Sequence, residues 1–151
     1  NPVIVVTGHQ RAEVEAVLSE LPVQLVHNSD YASGLAGSLK AGVAALPPGA
    51  AAAVISLGDM PNVTPSVIER LTEAHRARPE ALAAVPTLFG QRGNPVLLAR
   101  AIFPAVSLLS GDRGARRLLD EAGERVVDVP FEDPAIAIDV DTPEALKALR
   151  G

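Results

Sequence analysis

The sequence predicts an α/β fold with a parallel sheet. Short apolar runs rich in β-branched residues alternate along the chain with segments of helical periodicity, and turn residues separate them. Several of these runs are apolar at every position, as is typical of strands that helices cover on both faces. A length of 151 residues fits a single domain, residues 1–151.

The first part of the chain contains three predicted strands and two predicted helices. The strands are Val3–Thr7, Val23–His27 and Ala52–Leu57. Helical spacing after the first strand places four apolar residues on one face that we expect to be buried, namely Val14, Val17, Leu18 and Leu21. The second helix, Leu35–Leu46, ends at Pro47-Pro48-Gly49. Because Ala52–Leu57 is apolar on both faces, we expect it at the centre of the sheet.

The second part begins with a helix and continues with short strands. Thr64 and Pro65 are a favourable cap and first residue for this helix, whose inward residues are predicted to be Val67, Ile68 and Leu71. Further strands are predicted at Ala83–Leu88, Val96–Leu98, Arg125–Val129 and Ala135–Asp139. The turn-rich connector 90–95 joins two of these strands. Helical segments are predicted near 99–109, at 112–122 and from 142 onward.

Composition and charge exclude several classes of function. The 13 basic and 18 acidic side chains give a formal net charge of −5, which argues against general binding to nucleic acid or to anionic membranes. The chain contains no cysteine and therefore no disulfide. The longest apolar stretch, residues 43–58, is interrupted by Pro47-Pro48-Gly49 and does not predict a membrane span. No signal peptide is recognisable, so a cytoplasmic location is expected.

Carboxylates follow two of the predicted strands. Asp59 comes directly after the third strand, and Asp139 and Asp141 end a later apolar run, on the same side of an extended chain. Ligands of open α/β sheets bind beyond the carboxyl ends of the strands, where paired carboxylates can hold Mg²⁺ together with substrate phosphates. Two structural alternatives stay open: an Asx turn at Asp59, and a capping box formed by Asp141 and Glu144.

Two glycine-containing segments are weaker candidates for ligand binding. The segment Gly34-Leu35-Ala36-Gly37-Ser38 allows close approach of a ligand and offers N–H groups at a helix start. Its alternative is an ordinary loop. Residues 111–117 combine a predicted N-cap at Asp112 with three arginines that can bind phosphate, or that form a solvated basic helix end. The three histidines lack metal-ligand spacing, and neither a Ser/His/Asp triad nor a P-loop is visible.

Six motifs together resemble those of one enzyme family, the molybdenum cofactor cytidylyltransferases. They are Val5-Val6-Thr7-Gly8-His9, Asn28-x-x-Tyr31-x-x-Gly34-x-x-x-Ser38-Leu39-x-x-Gly42, Gly58-Asp59-Met60-Pro61, Gly93-Asn94-Pro95, Gly111-Asp112-x-Gly114-Ala115-Arg116 and Asp139-x-Asp141-Thr142-Pro143. The resemblance covers essentially the whole chain. It extends to the wider group of nucleotidyltransferases similar to molybdopterin-guanine dinucleotide synthase.

The resemblance implies a Rossmann-like three-layer α/β nucleotidyltransferase fold with a mostly parallel mixed sheet. It also implies a reaction that joins an NTP to a phosphorylated acceptor such as molybdopterin, releasing pyrophosphate. The implied catalytic residues and Mg²⁺ ligands are Asp59 and Asp141, with Asp139 as a further ligand. The implied nucleotide-binding residues are Gly34, Leu35, Ser38, Gly58 and Asp59. The implied acceptor-binding residues are Arg92, Gly93, Asn94, Pro95, Asp112 and Arg116. CTP is favoured over GTP, and a transient contact with a molybdoenzyme or its chaperone is a further expected partner.

The chain departs from the family pattern at three places. Asn94 stands where histidine is common, and Leu57 stands where glutamine is common. The glycine-rich phosphate loop that opens members of the family has no counterpart, which implies either a chain without its first strand and loop or a degenerate member. The competing hypotheses are therefore a catalytically inactive nucleotide- or pterin-binding protein or chaperone, and a nucleotidyltransferase for a sugar phosphate or another acceptor.

Overall fold

The computed structural model describes residues 2–112, 114–134, 140, 142, 144, 145 and 147. The elements in chain order are β1 Val3–Thr7, α1 Arg11–Leu18, β2 Val23–His27, α2 Leu35–Ala44, β3 Ala52–Ile55, α3 Pro65–Ala77, β4 Ala83–Leu88, β5 Gln91–Arg92, β6 Val96–Ala99, α4 Phe103–Val106, α5 Arg116–Ala122 and β7 Val126–Phe131. Short 3₁₀ helices occupy Tyr31–Ser33, Arg100–Ile102 and Gly123–Arg125. None of the helices in the described ranges is long and apolar enough to cross a membrane.

The residues cluster into two compact units. The first comprises the chain up to Ala51 together with Arg100–Glu121. The second comprises Ala52–Ala99 and the described residues from Ala122 onward. The single domain expected over residues 1–151 stays a prediction.

A parallel pair of strands forms the sheet of the first unit. β1 and β2 are in register from Val3 opposite Val23 to Thr7 opposite His27. Helix α2 packs against β1 and buries Ala36 and Leu39. The bounds of β1 and β2 agree with the predicted strands, since both runs are β-branched and end at turn residues.

Helix α1 buries only part of its predicted inward face. Leu18 is half-buried, whereas Val14, Val17 and Leu21 are exposed, and no residue of α1 is fully buried within the described structure. A polar contact lies on the same side of the helix: the hydroxyl of Thr7 donates to Oε1 of Glu15 over 3.0 Å and holds Glu15 against the end of β1. The guanidinium of Arg11 donates to the same oxygen over 2.9 Å. Apolar periodicity alone does not predict this contact.

The same contact predicts a small pH dependence of stability. The hydrogen bond from Arg11 lowers the pKa of Glu15 from its ordinary value of 4.5, and the Thr7 hydroxyl acts in the same direction. Glu15 therefore contributes stability that is present above the unfolded-state pKa and is lost as the pH falls through the folded-state pKa. Glu15→Gln is expected to flatten the decline in unfolding free energy on acidification, measured by urea denaturation from about pH 6 to about pH 3.

Arg11→Gln is the companion variant, because Arg11 is the largest cause of the shift. It should flatten the acid limb in the same way. An acid limb for Glu15→Gln as steep as that of the wild type would contradict this interpretation.

The second unit contains a mixed sheet of five strands, in the order β3-β6-β4-β5, with β7 paired to β4. β6 runs antiparallel to β3 and to β4, whereas β7 runs parallel to β4 along its full length. Helix α3 covers this sheet and contributes Val67 and Leu71 to a buried cluster completed by Ala84, Leu97, Val129 and Phe131. Val67 and Leu71 confirm the predicted inward face, but Ile68 is exposed.

Other differences from the predicted elements have local causes. Among the described strands, β3 pairs only with β6, so it lies at an edge and not at the centre as predicted. Its first residues, Ala52 and Ala53, are small and are weak indicators of burial. Helix α5 begins at Arg116 rather than Asp112, because Gly114 has a left-handed backbone with φ +49°. The predicted strand Ala135–Asp139 lies outside the described residues.

β5 and β6 are two parts of one strand that a bulge interrupts. β4 pairs with β6 through Ala83 opposite Leu98, and with β5 through Leu88 opposite Gln91. The register changes by two residues between the two pairings because Asn94 and Pro95 leave the ladder after Gly93. Bulges of this kind bend a strand and redirect its side chains, often next to binding sites.

Candidate active site

The carboxyl ends of three strands meet at one edge of the second unit's sheet. β3 and β4 are both antiparallel to β6, and β7 is parallel to β4, so all three run in the same direction. The segments that follow them are the part of an open α/β sheet where ligands bind. Asp59 follows β3 at this edge, and the bulge at 93–95 precedes β6 at the same edge.

Asp59 is held between a buried neighbour and the C-terminal part of the chain. The side chain of Met60 is buried. The backbone N–H of Val140 donates to the backbone carbonyl of Asp59 over 2.8 Å. Two segments that are distant in sequence therefore meet at the end of β3, as the strand-end argument predicts. Asp139 and Asp141, the chain neighbours of Val140, lie outside the described residues, so their roles as metal ligands stay predictions.

The carboxylate of Asp59 fits a divalent cation. Its Oδ1 is buried and accepts no hydrogen bond from the described residues. An unpaired carboxylate oxygen is costly to bury, and nearly all such atoms in proteins have a partner. An Asx turn would supply a backbone N–H to this oxygen, whereas Mg²⁺ and similar hard cations bind carboxylate oxygens directly. A bound cation would therefore satisfy an oxygen to which no described residue donates.

The described residues alone do not complete a metal centre. They contain no cluster of three or more histidine, cysteine, aspartate or glutamate side chains placed to hold a metal ion. Gly58 leaves space next to Asp59, because an added Cβ there would meet no atom within 4 Å. Further ligands are therefore expected from the segment around Val140 and from the substrate phosphates.

A second contact weakens the capping alternative at the C-terminal segment. The hydroxyl of Thr142 accepts the backbone N–H of Ala145 over 3.1 Å, the geometry of an N-cap three residues before its donor. The predicted capping box assigned this role to Asp141 and Glu144. Because Thr142 supplies the cap, helix capping does not explain why position 141 carries a carboxylate.

The predicted acceptor residues of the second unit surround the bulge. Arg92 donates from Nε to Oδ1 of Asp128 over 2.7 Å and from Nη2 to Oδ2 over 3.2 Å. The N–H of Gly93 donates to the carbonyl of Pro86 over 2.9 Å, and this bond continues the pairing of β4 with β5 up to the bulge. Pro95 is fully buried, and its peptide bond with Asn94 is cis. Asn94, partly buried, is the polar side chain that the bulge carries.

The predicted nucleotide-binding residues lie at the start of α2 in the first unit. Gly34 precedes the helix with φ +111° and ψ 174°, a conformation that essentially only glycine adopts. The loop 111–112 packs against it so closely that an added Cβ would lie 2.5 Å from Oδ1 of Asp112 and 2.7 Å from the carbonyl carbon of Gly111. Leu35 is exposed, and Ser38 lies one turn further along the helix.

Ser38 is positioned by Asn28, a residue to which sequence analysis assigned no separate role. The Asn28 side chain donates to Oγ of Ser38 over 3.1 Å and accepts the backbone N–H of Asp30 over 3.1 Å. Asn28 is itself buried. The role of Asn28 could have been predicted from the sequence, because Asn-x-Asp directly after a strand is typical of an Asx turn.

Some predicted phosphate-binding groups are already engaged. The N–H of Ala36 donates to the carbonyl of Gly111 over 3.1 Å, so it is not available to a ligand as expected. Arg117 donates to Glu121 over 2.8 Å, and this hydrogen bond raises the pKa of the Arg117 guanidinium. Arg116 is exposed at the first turn of α5. The predicted N-cap at Asp112 is wrong, since Asp112 packs beside Gly34 and precedes the helix by several residues.

The structure thus places the predicted site residues in two groups. Asp59 and the acceptor segment 92–95 belong to the second unit, at the same edge of its sheet. Gly34, Leu35, Ser38 and Asp112 belong to the first unit, around the start of α2. Asp112 is predicted to bind the acceptor, but it lies beside the predicted nucleotide-binding segment of the first unit.

Most of the chain is similar in sequence to proteins of known family. The MobA-like NTP transferase domain family matches residues 1–126. The nicotine blue oxidoreductase of Paenarthrobacter nicotinovorans is 32% identical, over 97% of this chain and 74% of that protein. The molybdenum cofactor cytidylyltransferase of Escherichia coli strain K12 is 27% identical, over 94% of this chain and 70% of that protein.

A solved structure gives the same fold. Rv0371C of Mycobacterium tuberculosis H37Rv, crystallised in complex with manganese, aligns with a TM-score of 0.81 at 24% identity, over 99% of this chain and 77% of that one. The predicted α/β nucleotidyltransferase fold is therefore confirmed. Because the family match covers most of its length, the chain belongs to the MobA-like NTP transferase domain family.

Proposed function

We propose that the protein is a nucleotidyltransferase that joins the α-phosphate of an NTP to a phosphorylated small-molecule acceptor. The observation that carries the proposal is the position of Asp59: its buried Oδ1 has no hydrogen-bond donor among the described residues, and the N–H of Val140 donates to its backbone carbonyl at the carboxyl edge of the sheet. A phosphate oxygen of the acceptor would attack the α-phosphorus, and the bond to the bridging oxygen would break as pyrophosphate leaves. Such a reaction needs no side-chain nucleophile.

The proposed cofactor is Mg²⁺, held by Asp59 and Asp141 with Asp139 as a further ligand. When bound, such a cation neutralises phosphate charge and orients the reacting groups. The manganese complex of Rv0371C supports a divalent cation in this fold. The buried Met60 and the hydrogen bond from Val140 would keep the Asp59 carboxylate in a fixed position.

The proposed nucleotide-binding residues are Gly34, Leu35 and Ser38 in the first unit and Gly58 and Asp59 in the second. Asn28 positions the Ser38 hydroxyl, which then offers a polar atom at the start of α2. We infer CTP as the favoured nucleotide and GTP as the alternative. The cytidylyltransferase relative supports CTP, at 27% identity.

The proposed acceptor is molybdopterin or a similar phosphorylated pterin. Its binding residues would be Arg92, Gly93, Asn94 and Pro95, with Asp112 and Arg116 as further candidates. The fork of Arg92 is oriented by both carboxylate oxygens of Asp128, which gives this side chain a fixed direction next to the bulge. Contact with a molybdoenzyme or its chaperone, and a cytoplasmic location, stay predictions.

The test is to incubate the protein with molybdopterin, Mg²⁺ and either CTP or GTP and to measure pyrophosphate release. Release that requires both the acceptor and the cation is the expected result. Failure with every NTP would contradict the proposal, and tight binding of an NTP without turnover would favour the inactive binding protein. Turnover with a sugar phosphate in place of molybdopterin would keep the chemistry and change the acceptor.

A second candidate function rests on the nicotine blue oxidoreductase relative, which is more similar in sequence than the cytidylyltransferase. In that case the protein would catalyse an oxidation–reduction reaction instead of nucleotidyl transfer. The discriminating measurement is the change in the absorbance of nicotine blue in the presence of an electron donor, set beside the pyrophosphate assay on the same preparation.

A further inference from the structure

The turn between β4 and β5 has an unexpected residue in a demanding conformation. Leu88 pairs with Gln91, so Phe89 and Gly90 are the two residues of the turn. Both have left-handed backbones, with φ +50° for Phe89 and +79° for Gly90. Two positive φ values are typical of a type I′ turn, which favours Asn-Gly or Asp-Gly. A bulky side chain at the first of these positions is uncommon and strained.

The fold gains no burial from this side chain. Phe89 is 85% exposed, so its ring contributes little to the core. Single exposed apolar residues are ordinary on protein surfaces. What distinguishes Phe89 is that its exposure coincides with a backbone conformation that asparagine or glycine would adopt at lower cost. Strain of this kind is concentrated at functional sites, and here it keeps an aromatic ring at the tip of a hairpin.

The position of the hairpin connects the ring to the candidate active site. Phe89 follows the carboxyl end of β4, at the same edge of the sheet as Asp59. The strand that begins after the turn carries Arg92 and then the bulge 93–95. The ring therefore stands at the beginning of the segment proposed to bind the acceptor.

The surroundings favour a small ring over a protein surface as the partner of Phe89. The large apolar residues exposed within the described part of the second unit are Ile68, at 39%, and Phe89. The neighbouring hairpin residues, Gln91 and Arg92, are polar. A stable protein interface buries roughly 800 Å² on each partner around an apolar centre, which one ring among polar residues does not provide. One exposed face of an aromatic ring matches one planar heteroaromatic group.

We propose that Phe89 stacks on the planar heteroaromatic ring of the acceptor and thereby selects pterin-type acceptors over non-aromatic phosphates. This inference rests on the proposed function for the identity of the site. Alanine substitution indicates that stacking of a heteroaromatic base on an aromatic side chain contributes on the order of tenfold in affinity. Phe89 is thus a specificity-determining residue that takes no part in the bond-making step.

The test compares Phe89→Asn with Phe89→Tyr and with Leu108→Asn. Asparagine suits the left-handed turn, so Phe89→Asn should unfold at a temperature no lower than the wild type. Its Kd for pterin-6-carboxylate, measured by the fluorescence anisotropy of the pterin, should rise about tenfold. Phe89→Tyr should retain the wild-type Kd. Leu108→Asn removes an equally exposed apolar side chain, at 82%, and should also retain it.

The outcomes separate this inference from the proposed function. An unchanged Kd in Phe89→Asn, or wild-type protein that does not bind the pterin, would overturn the inference. With molybdopterin as acceptor, Phe89→Asn should raise the acceptor KM about tenfold and leave the KM for CTP unchanged. Pterin binding that depends on Phe89, without pyrophosphate release by the wild type, would support the inference and contradict the transferase.

Discussion

Replacing Asp59 with Asn is expected to lower kcat for pyrophosphate release by roughly 10²- to 10³-fold, the usual cost of losing one preorganised electrostatic group. The substitution preserves the shape of the side chain but removes the charge of a carboxylate whose Oδ1 has no hydrogen-bond donor among the described residues. The unfolding temperature measured without divalent cations should therefore not decrease. The increase in that temperature caused by Mn²⁺ in the wild type should disappear in the variant.

Asp120→Asn is the matched control, because it removes the same charge from an exposed position on α5. It should retain wild-type turnover and the wild-type response to Mn²⁺. If Asp59→Asn kept both the turnover and the Mn²⁺ response, Asp59 would not be a metal ligand, whatever reaction the protein catalyses.

Replacing Gly34 with Ala is expected to have the second-largest effect. The added Cβ would be forced into the conformation at φ +111° and would lie 2.5 Å from Oδ1 of Asp112 and 2.7 Å from the carbonyl carbon of Gly111. Backbone strain alone should lower the unfolding free energy by roughly 1–3 kcal/mol. Displacement of the loop from the start of α2 should raise the KM for CTP by up to about 10²-fold, because small misplacements of binding groups have effects of that size.

The measurements are urea denaturation and CTP titration of the initial rate, with Gly49→Ala as the control. An added Cβ at Gly49 would meet no atom within 4 Å. Its stability should therefore remain within about 1 kcal/mol of the wild type, and its KM for CTP should not change. A Gly34→Ala protein with wild-type stability would show that the loop at 111–112 tolerates the side chain, and a wild-type KM would separate this turn from nucleotide binding.

The bounds of several strands can be predicted from the sequence, because residue type and flanking turn residues are local features. β1, β2 and β4 agree with the predicted bounds, since each is a β-branched or apolar run that ends at turn residues. The predicted inward face of α1 is only partly buried: Leu18 is half-buried, whereas Val14 and Val17 are exposed and Glu15 contacts Thr7 at the end of β1. Periodicity carries no information about such a contact.

Part of the candidate site can be predicted, because the topology of an α/β sheet brings the ends of its parallel strands to one edge. The rule that ligands bind at the carboxyl edge directed attention to Asp59 and to the segment around Val140, and the hydrogen bond between those two residues confirms that the segments meet. The turn at Phe89 was not predictable, because phenylalanine is not a residue that signals a type I′ hairpin. The bulge at 93–95 likewise follows from the paired register of β4 with β5 and β6, which no local pattern specifies.

The hydrogen bond from Val140 to Asp59 also has a thermodynamic consequence. If a cation binds to Asp59 and to carboxylates next to Val140, its binding stabilises the contact between Val140 and Asp59 by RT ln(1 + [L]/Kd), where Kd is that of the protein with the contact formed. The coupling is reciprocal, so the contact in turn raises the affinity for the cation. Cation affinity and the stability of this contact are therefore linked, and a substitution that weakens one is expected to weaken the other.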